Sequence, residues 1–452
     1  MFEVYIHVPF CLRRCGYCDF NTYTAADLGG GASRGNYANM VIREMRIVRD
    51  WQLAHGIDEP AVSTVFFGGG TPTILSADDL VTMLDAIRST WGIEPNAEIT
   101  TEANPDTVND YYLGKLAEGG FTRISFGMQS AVPHVLKTLD RTHTPANVEA
   151  GVRAAERYGL RSSVDLIYGA PGESLDDWRT SVSTAIDLGV NHISAYALTV
   201  EPTTKMGRQI DAGSLPKPDD DDEAAKYEIA DDLFAAAGLQ WYEVSNWSRL
   251  GFESQHNLGY WRNVDWAGLG PGAHSHYNCV ADGRVYTQSD IQADAQLDVQ
   301  SEIPLDMQTD AGGQRYTQTP TQQPCTHSLR AWDIAHPRLW GTAINEGRLP
   351  WGGNETITPE ENLEELIMLG LRIREGLDLD RVNRAIASVG NDSNSSDSSR
   401  KSMSFNPIDP KQLEPMVSEG LLTFNSGHVV PTRKGRLLND AIIERFFDLI
   451  GV

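Results

Sequence analysis

Three cysteines stand within eight residues near the start of the chain: Cys11, Cys15 and Cys18, in the run Cys-Leu-Arg-Arg-Cys-Gly-Tyr-Cys. The spacing is Cys-x3-Cys-x2-Cys, and no fourth cysteine lies nearby. Iron–sulfur cubanes are ordinarily held by four thiolates. A loop that offers three holds three irons and leaves the fourth open to an exchangeable ligand, so that iron becomes a reaction site. The triplet points to redox chemistry. Two blander readings compete with it. Structural zinc takes four ligands, and His7 is a candidate for the fourth. A disulfide fits less well, because the five cysteines are an odd number and Met1 runs directly into a strand-like segment rather than a secretory leader. A reducing cytoplasm suits such thiols, so the expected location is cytoplasmic.

The elements that must position this loop are legible from periodicity. Short β-branched runs at residues 4–8, 63–67, 98–101, 123–126, 163–167 and 192–197 alternate with amphipathic stretches at 36–53, 77–91, 109–118, 147–158 and 175–188. Strands alternating with helices imply βαβ units and a parallel sheet. Six such units fall short of a closed eight-stranded barrel and fit an open, barrel-like wrap. The unusual residues follow the strands. The cysteine loop follows the first, Gly68-Gly-Gly-Thr-Pro72 the second, Glu102-Ala-Asn-Pro105 the third, Gln129 the fourth and Tyr168-Gly-Ala-Pro-Gly172 the fifth. In parallel α/β folds the loops after the strand C-termini share one face, where ligands bind. All these features are expected to meet at one cavity.

Composition bounds the rest. The chain of 452 residues is long enough for one large domain plus smaller additions. It carries 62 Asp and Glu against 37 Lys and Arg, a formal charge of −25. That disfavours nucleic acid, whose phosphates call for a basic surface. No run of about 18 apolar residues is present to span a membrane. The acidic run Asp219–Glu223 reads as a solvated helix start and receives no function. Gly68–Pro72 lacks the Gly-Lys-Ser/Thr ending of a phosphate-binding P-loop. Gly268-Leu-Gly-Pro-Gly-Ala273 lacks the spacing and βαβ context of a dinucleotide fingerprint. Residues 287–326, which include Cys325, and residues 390–404 are too polar to bury and read as flexible insertions. Neither Cys325 nor Cys279 is given a cluster role. Further on, helical patterns at 359–374, 410–420 and 435–447 flank a hairpin of residues 421–424 and 429–431, a winged-helix-like unit expected to pack on the main domain. The expected divisions are 1–240 for the core domain, 241–345 for a linker region and 346–452 for the C-terminal domain.

Taken together, Tyr5-Ile-His-Val-Pro-Phe-Cys11, the cysteine triplet, residues 68–73, 102–105, 125–130 and 165–172 resemble the radical S-adenosylmethionine (SAM) superfamily, in the branch of the oxygen-independent coproporphyrinogen III oxidases and their relatives. The resemblance implies an α/β fold: a partial (β/α)6, TIM-like barrel followed by a smaller α+β, winged-helix-like domain. It also implies that Cys11, Cys15 and Cys18 ligate three irons of a [4Fe–4S] cluster, and that SAM chelates the fourth and is cleaved by one electron. By position, Tyr5 and Tyr17 belong beside cluster and SAM, and Gly69, Gly70 and Thr71 meet the methionine end. Glu102, Gln129, Arg141 and Asp165 complete the polar pocket. The alternative for Glu102 and Asp165 is a structural pair with Arg141.

Two departures select within this branch. The oxidases carry a further cysteine two places after the third, where this chain has Phe20. In addition, His256-Asn-Leu-Gly-Tyr-Trp261 matches the His-Asn-x-x-Tyr-Trp motif of the HemW-type haem chaperones, and Arg330-Ala-Trp-Asp-Ile-Ala-His-Pro337 is similar to that group. The resemblance thus implies haem as a third bound group, with His256 as its iron ligand and transfer to acceptor proteins such as respiratory haem enzymes. His274 and His276 are alternative ligands, and the bland reading of His256 is a hydrogen-bonded core residue beside Tyr260 and Trp261. Further implied partners are an electron donor of flavodoxin or ferredoxin type. Peripheral membrane association during delivery and a homodimer are also allowed. The rival functions are oxidative decarboxylation of coproporphyrinogen III to protoporphyrinogen IX in porphyrin biosynthesis, and a radical-SAM reaction on haem itself.

Overall fold

The computed structural model describes residues 1–280, 327–391 and 405–451. The insertion at 287–326, Cys325 and all but the first two residues of 390–404 lie outside them. Six strands carry the core: β1 (Phe2–Val8), β2 (Val62–Gly69), β3 (Ile93–Ala103), β4 (Arg123–Gln129), β5 (Arg161–Tyr168) and β6 (His192–Ala197). Each pairs in parallel with the next, in registers such as Tyr5↔Phe66, Glu102↔Ser125 and Gly127↔Asp165. Near-continuous burial along β1, β4 and β5 is what strands covered on both faces require. The intervening helices start where the chain supplies caps. Ser76, Thr144 and Ser174 form capping boxes at the heads of Ala77–Thr90, Pro145–Arg157 and Leu175–Asp187. This is the open (β/α)6 wrap that the alternating pattern implies.

The sheet runs further than those units. β7 (Gln240–Glu243) and β8 (Asn246–Ser248) extend it beyond β6. β9 (Asp265–Leu269) pairs in parallel with β1, and β10 (His274–Val280), β11 (His327–Asp333) and β12 (Trp351–Ile357) add antiparallel strands outward. Twelve strands form one linear order, β12-β11-β10-β9-β1-β2-β3-β4-β5-β6-β8-β7. Strands from the stretch read as a linker, 241–345, are therefore hydrogen-bonded into the main sheet. The Gly268–Ala273 run is the turn between β9 and β10. A side chain at Gly268 would meet the His274 carbonyl oxygen at 2.0 Å, so the glycine serves close backbone approach and not a nucleotide.

A second, smaller core lies at the C-terminus. β13 (Leu377–Asp378), β14 (Leu422–Asn425) and β15 (His428–Pro431) form a three-stranded sheet with order β13-β15-β14. It packs with helices Pro359–Gly370, Leu379–Asn391 and Asn439–Ile450 around Leu363, Ile367, Val382 and Phe446. Two expected helices are broken. Residues 410–420 form a 3-10 turn, Pro410–Leu413, and a short helix, Glu414–Ser418, because Pro415 has no N–H to continue one helix through. Residues 435–447 divide at Leu438 into Arg433–Leu437 and Asn439–Ile450. Arg436 ties this unit to the core through Asp231 at 2.8 Å and lies over the Trp241 ring at 4.5 Å.

The acidic run is a helix start. Asp219 caps Asp220–Ala236 by accepting the Asp222 N–H at 2.9 Å. Asp222 in turn meets the buried Lys226 at 2.6 Å, which reaches Glu173 at 3.1 Å. A second buried charge system joins β11 to the helix Tyr37–Ala54. Glu44 accepts from the Trp340 indole at 2.9 Å and the Gly270 N–H at 2.8 Å, and Asp333 stands against it. Burial first, and Glu44 second, raise Asp333 well above the carboxylate range, while burial pushes Glu44 up to about 7. Raised folded values mean that the native state keeps protons which the unfolded chain releases above about pH 4. Stability from this pair is therefore complete at low pH and is lost as pH rises through the folded values. Asp333→Asn is expected to flatten that decline. Urea midpoints at about pH 5 and about pH 8 measure it, and an unchanged slope in the variant counts against the shared charge.

Candidate functional site

Four of the five loops meet, while the fifth, Tyr168–Gly172, contributes no lining residue and β5 reaches the cavity through Asp165 and Ile167. A cavity of about 510 Å³ opens at the C-terminal ends of β1–β6, within the range of small-molecule and cofactor sites. Tyr5, Cys11, Cys15, Tyr17, Cys18, Gly69, Gly70, Thr71, Glu102, Gln129, Arg141, Asp165 and His256 all line it. Parallel pairing brings them together, because each loop leaves the same edge of the sheet.

Each cysteine sulfur has a polar neighbour. The Thr71 hydroxyl donates to Cys11 Sγ at 3.7 Å, the Arg141 guanidinium donates to Cys15 Sγ at 3.5 Å, and Cys18 Sγ lies 3.9 Å from the Thr22 hydroxyl. Hydrogen bonds to the sulfurs are among the levers that set cluster potentials. Burial pushes the Cys11 and Cys18 thiols up, with the Thr71 and Thr22 hydroxyls opposing it. The zinc alternative loses its fourth ligand. His7 Nε2 is bonded to the Asn21 carbonyl at 3.0 Å and Nδ1 to the Tyr5 hydroxyl at 3.1 Å. Among the described residues no three His, Cys, Asp or Glu side chains are grouped to hold a single metal ion.

The polar wall divides its labour. Glu102 Oε2 accepts the Gly69 N–H at 3.2 Å. Burial and then the charge of Asp165 push Glu102 up to about 8, against that hydrogen bond. Asp165 accepts the Ser125 hydroxyl at 3.0 and 2.9 Å on its two oxygens, and burial raises it as well. Arg141 pairs with neither carboxylate. Its Nη2 donates to Asn104 Oδ1 at 2.6 Å and to the Gly127 carbonyl at 2.9 Å, so the structural-pair alternative is not what these side chains form. Gln129 sits at φ +61°, an uncommon conformation for a residue with a side chain. Its Oε1, Arg141 Nε and Thr100 Oγ1 are buried without a hydrogen-bond partner among the described residues. Buried polar atoms ordinarily find one. Three orphans on one cavity wall, three thiols and a backbone cradle at Gly70 fit a thiolate-bound cluster with a polar ligand beside it.

Ser125 and Asn104 belong to this wall in addition to the residues named for it from sequence. Ser125 lies in the 125–130 segment of the resemblance, which gave it no role, and it stands directly across from Glu102. Phe20, 58% exposed, stands beside the cysteine loop and lines both the first cavity and an adjoining one of about 610 Å³. Tyr5, Gly69, Glu102 and Tyr260 are shared by both as well. The second cavity adds Trp261, Trp266, His274, Arg330, and Met368 from the C-terminal unit.

The His-Asn-x-x-Tyr-Trp motif forms the helix Gln255–Trp261. Glu98 on β3 anchors it, accepting the N–H groups of Gln255 at 2.9 Å and His256 at 3.3 Å while bonded to Arg123 at 3.3 Å. His256 is 1% exposed and stacks on Phe66 at 5.1 Å. Its Nδ1 is bonded to the Thr64 hydroxyl at 2.7 Å and its Nε2 to the Tyr260 hydroxyl at 3.0 Å. Of the alternatives, His276 is fully buried, with Nδ1 on the Val264 carbonyl at 3.2 Å, and His274 faces the second cavity.

Comparison with known proteins agrees with this layout. A profile of the radical SAM superfamily matches residues 5–185, and one of the HemN C-terminal domain matches residues 357–394. The haem chaperone HemW of Mycobacterium tuberculosis H37Rv is 37% identical over 98% of this chain and 94% of its own. That of Bacillus subtilis is 30% identical over 99% of both. The chain belongs to the HemW family. In Escherichia coli the HemW chaperone is 38% identical over 63% of this chain and 72% of its own. The solved structure of the coproporphyrinogen III oxidase HemN from Escherichia coli covers 98% of this chain and 89% of its own. Its TM-score is 0.71 at 18% identity, which establishes the shared fold alone.

Gly70 faces backbone that cannot move aside. A Cβ there would lie 2.6 Å from the Phe10 carbonyl oxygen and 2.8 Å from that of Val8. Gly70→Ala is expected to destabilise the fold by about 1–3 kcal/mol and to displace the cysteine loop. Denaturant midpoints and iron content after anaerobic reconstitution report the two effects, and a variant with unaltered values in both disproves the close approach.

Proposed function

We propose that the chain is a haem chaperone that binds a [4Fe–4S] cluster, SAM and haem, and passes haem to acceptor proteins such as respiratory haem enzymes in a reducing, cytoplasmic setting. The observation that carries the reading is the pair of adjoining cavities. One is walled by the three cysteines and the polar SAM-type residues, the other by Trp261, Trp266 and Met368, and the His-Asn-x-x-Tyr-Trp helix stands between them. A cavity carrying three thiols and buried carboxylates, joined to one walled by tryptophans, suits two ligands of unlike chemistry.

In this reading Cys11, Cys15 and Cys18 hold the cluster. Thr71 and Arg141 donate to two of its thiolates, while Gly69 and Gly70 let a ligand lie against backbone. Glu102, Gln129 and Asp165 receive the amino and hydroxyl groups of SAM. When bound, cluster and SAM supply one-electron reductive chemistry, fed by a donor of flavodoxin or ferredoxin type. Phe20, where the oxidases have a further cysteine, places an exposed aromatic ring at the junction of the cavities. That supports an apolar, planar cargo there over decarboxylation of coproporphyrinogen.

Cys11→Ala, Cys15→Ala and Cys18→Ala are each expected to abolish cluster assembly, measured as iron and sulfide content. A complete cluster in all three removes the assignment. The function is tested on one reconstituted, anaerobic sample assayed both for stoichiometric haem binding and for coproporphyrinogen decarboxylation with SAM and reductant. Haem bound without decarboxylation is expected. Turnover to protoporphyrinogen reverses the reading.

A further inference from the structure

The histidine of the motif presents no free nitrogen. His256 is wedged flat against Phe66, and both of its ring nitrogens are taken, by Thr64 at 2.7 Å and Tyr260 at 3.0 Å. The carboxyl of Glu3 lies 3.6 Å behind Nδ1, beside the same Thr64 hydroxyl. Reaching an iron would require His256 to break two hydrogen bonds and leave its stacking partner, uncovering buried polar atoms in the process.

Tyr260 is differently placed. It lies four residues on, one helical turn along the same face, and it lines both cavities. Its ring is held edge-on between His256 at 4.8 Å and Trp266 at 4.9 Å. Phenolate oxygen is an established protein ligand for haem iron.

We propose that Tyr260, and not His256, supplies the protein ligand to ferric haem iron, with His256 as a positioning residue that hydrogen-bonds the phenolate oxygen. The proposal rests on the haem-binding reading above.

Burial, then the neighbouring Tyr5 and Glu3, hold the Tyr260 phenol well above its ordinary range, so it ionises only against the iron. On binding, the phenol proton of Tyr260 leaves to solvent, and the single positive charge of the ferric porphyrin core offsets the phenolate. Neutral imidazole then donates from Nε2 to the phenolate oxygen, while the Thr64 hydroxyl donates to Nδ1. The tautomer follows from these two partners. Burial lowers His256 to about 3, so the ring is neutral, and burial raises Glu3 to about 9, so the group behind it is a neutral acid. Neither introduces a charge that would compete with the iron. Trp261, Trp266 and Met368 supply flat and adaptable apolar walls for the macrocycle, while Arg330 on the same wall is paired with Glu355 and Glu365.

Resonance Raman spectra of the full-length protein titrated with ferric haem test the assignment. Iron–phenolate modes are expected in the wild type. Tyr260→Phe should lose them and weaken haem binding by about tenfold or more, with cluster iron content unchanged. Tyr260→His should restore binding with an imidazole-ligated spectrum. His256→Gln should keep the phenolate modes at shifted frequency, which a merely structural histidine would not alter. Absence of phenolate modes in haem-loaded wild type overturns the proposal. So does a haem spectrum indifferent to Tyr260→Phe but abolished by His256→Gln or His274→Ala, and both results leave haem binding itself intact. A wild-type protein that takes up no stoichiometric haem overturns the underlying reading along with the ligand.

Discussion

A backbone ladder that outlasts its strands holds the site together. β1 and β2 pair in parallel as far as Val8↔Gly69. Beyond that point the Gly70 N–H still reaches the Val8 carbonyl at 2.8 Å, and the Thr71 N–H reaches the Phe10 carbonyl at 2.8 Å. The far side of the cysteine loop is fastened by Cys11 N–H to the Tyr23 carbonyl at 2.9 Å and Tyr23 N–H to the Pro9 carbonyl at 2.7 Å. Cys11 is thus positioned by main chain on both sides. Cys15 and Cys18 follow in a turn closed by the Cys18 N–H on the Cys15 carbonyl at 3.3 Å and pinned by the Met206 N–H on the Gly16 carbonyl at 2.8 Å, with Arg141 and Thr22 beside their sulfurs.

The interior mutes part of the charge that the composition advertises. The chain carries a formal −25, yet burial raises the titration of Glu3, Glu44, Glu102, Asp165, Glu243 and Asp333. Several of the buried acids are therefore neutral, and the surface bears most of the charge. Inside the first cavity this has a consequence. Glu102 titrates near 8 partly because Asp165 is close, and an approaching ammonium group favours the ionised carboxylate of both. Uptake of a cationic ligand is then coupled to loss of a proton from the wall that receives it.

Much of this architecture was legible in the sequence, and what was not has physical causes. β1–β6 announce themselves as short β-branched runs alternating with amphipathic stretches, and the capping residues Ser76, Thr144 and Ser174 mark the helix starts. The outer strands β7–β12 carry no such signal. β9 and β10 mix Gly268, Trp266 and His276 in a pattern set by close backbone approach and ring stacking, at 4.7 Å for Trp266 and His276, and not by period. The helix boundary at Leu438 likewise has no proline or glycine to betray it. Pairings over long sequence separations, such as Glu44 with Trp340 and Asp333, depend on the finished fold. Ser125 gained its role from register alone, being opposite Glu102.

The motif at residues 256–261 shows the deeper limit of reading by type. Six residues named the family correctly, and the histidine is the residue in them most suited to iron by its chemistry. Which atom meets a ligand, however, is decided by what packs behind it. Thr64 and Phe66 on β2 and Glu3 on β1 enclose the imidazole from the core side, and Glu98 on β3 fixes the helix that carries it. Gly259 permits this closeness, since a side chain there would collide with the Glu3 carboxyl. With the ring held at its back, the helical turn brings the Tyr260 ring to both cavities while its hydroxyl stays on His256 Nε2 at 3.0 Å. The packing behind the motif, and not residue type, sets which of its atoms are engaged.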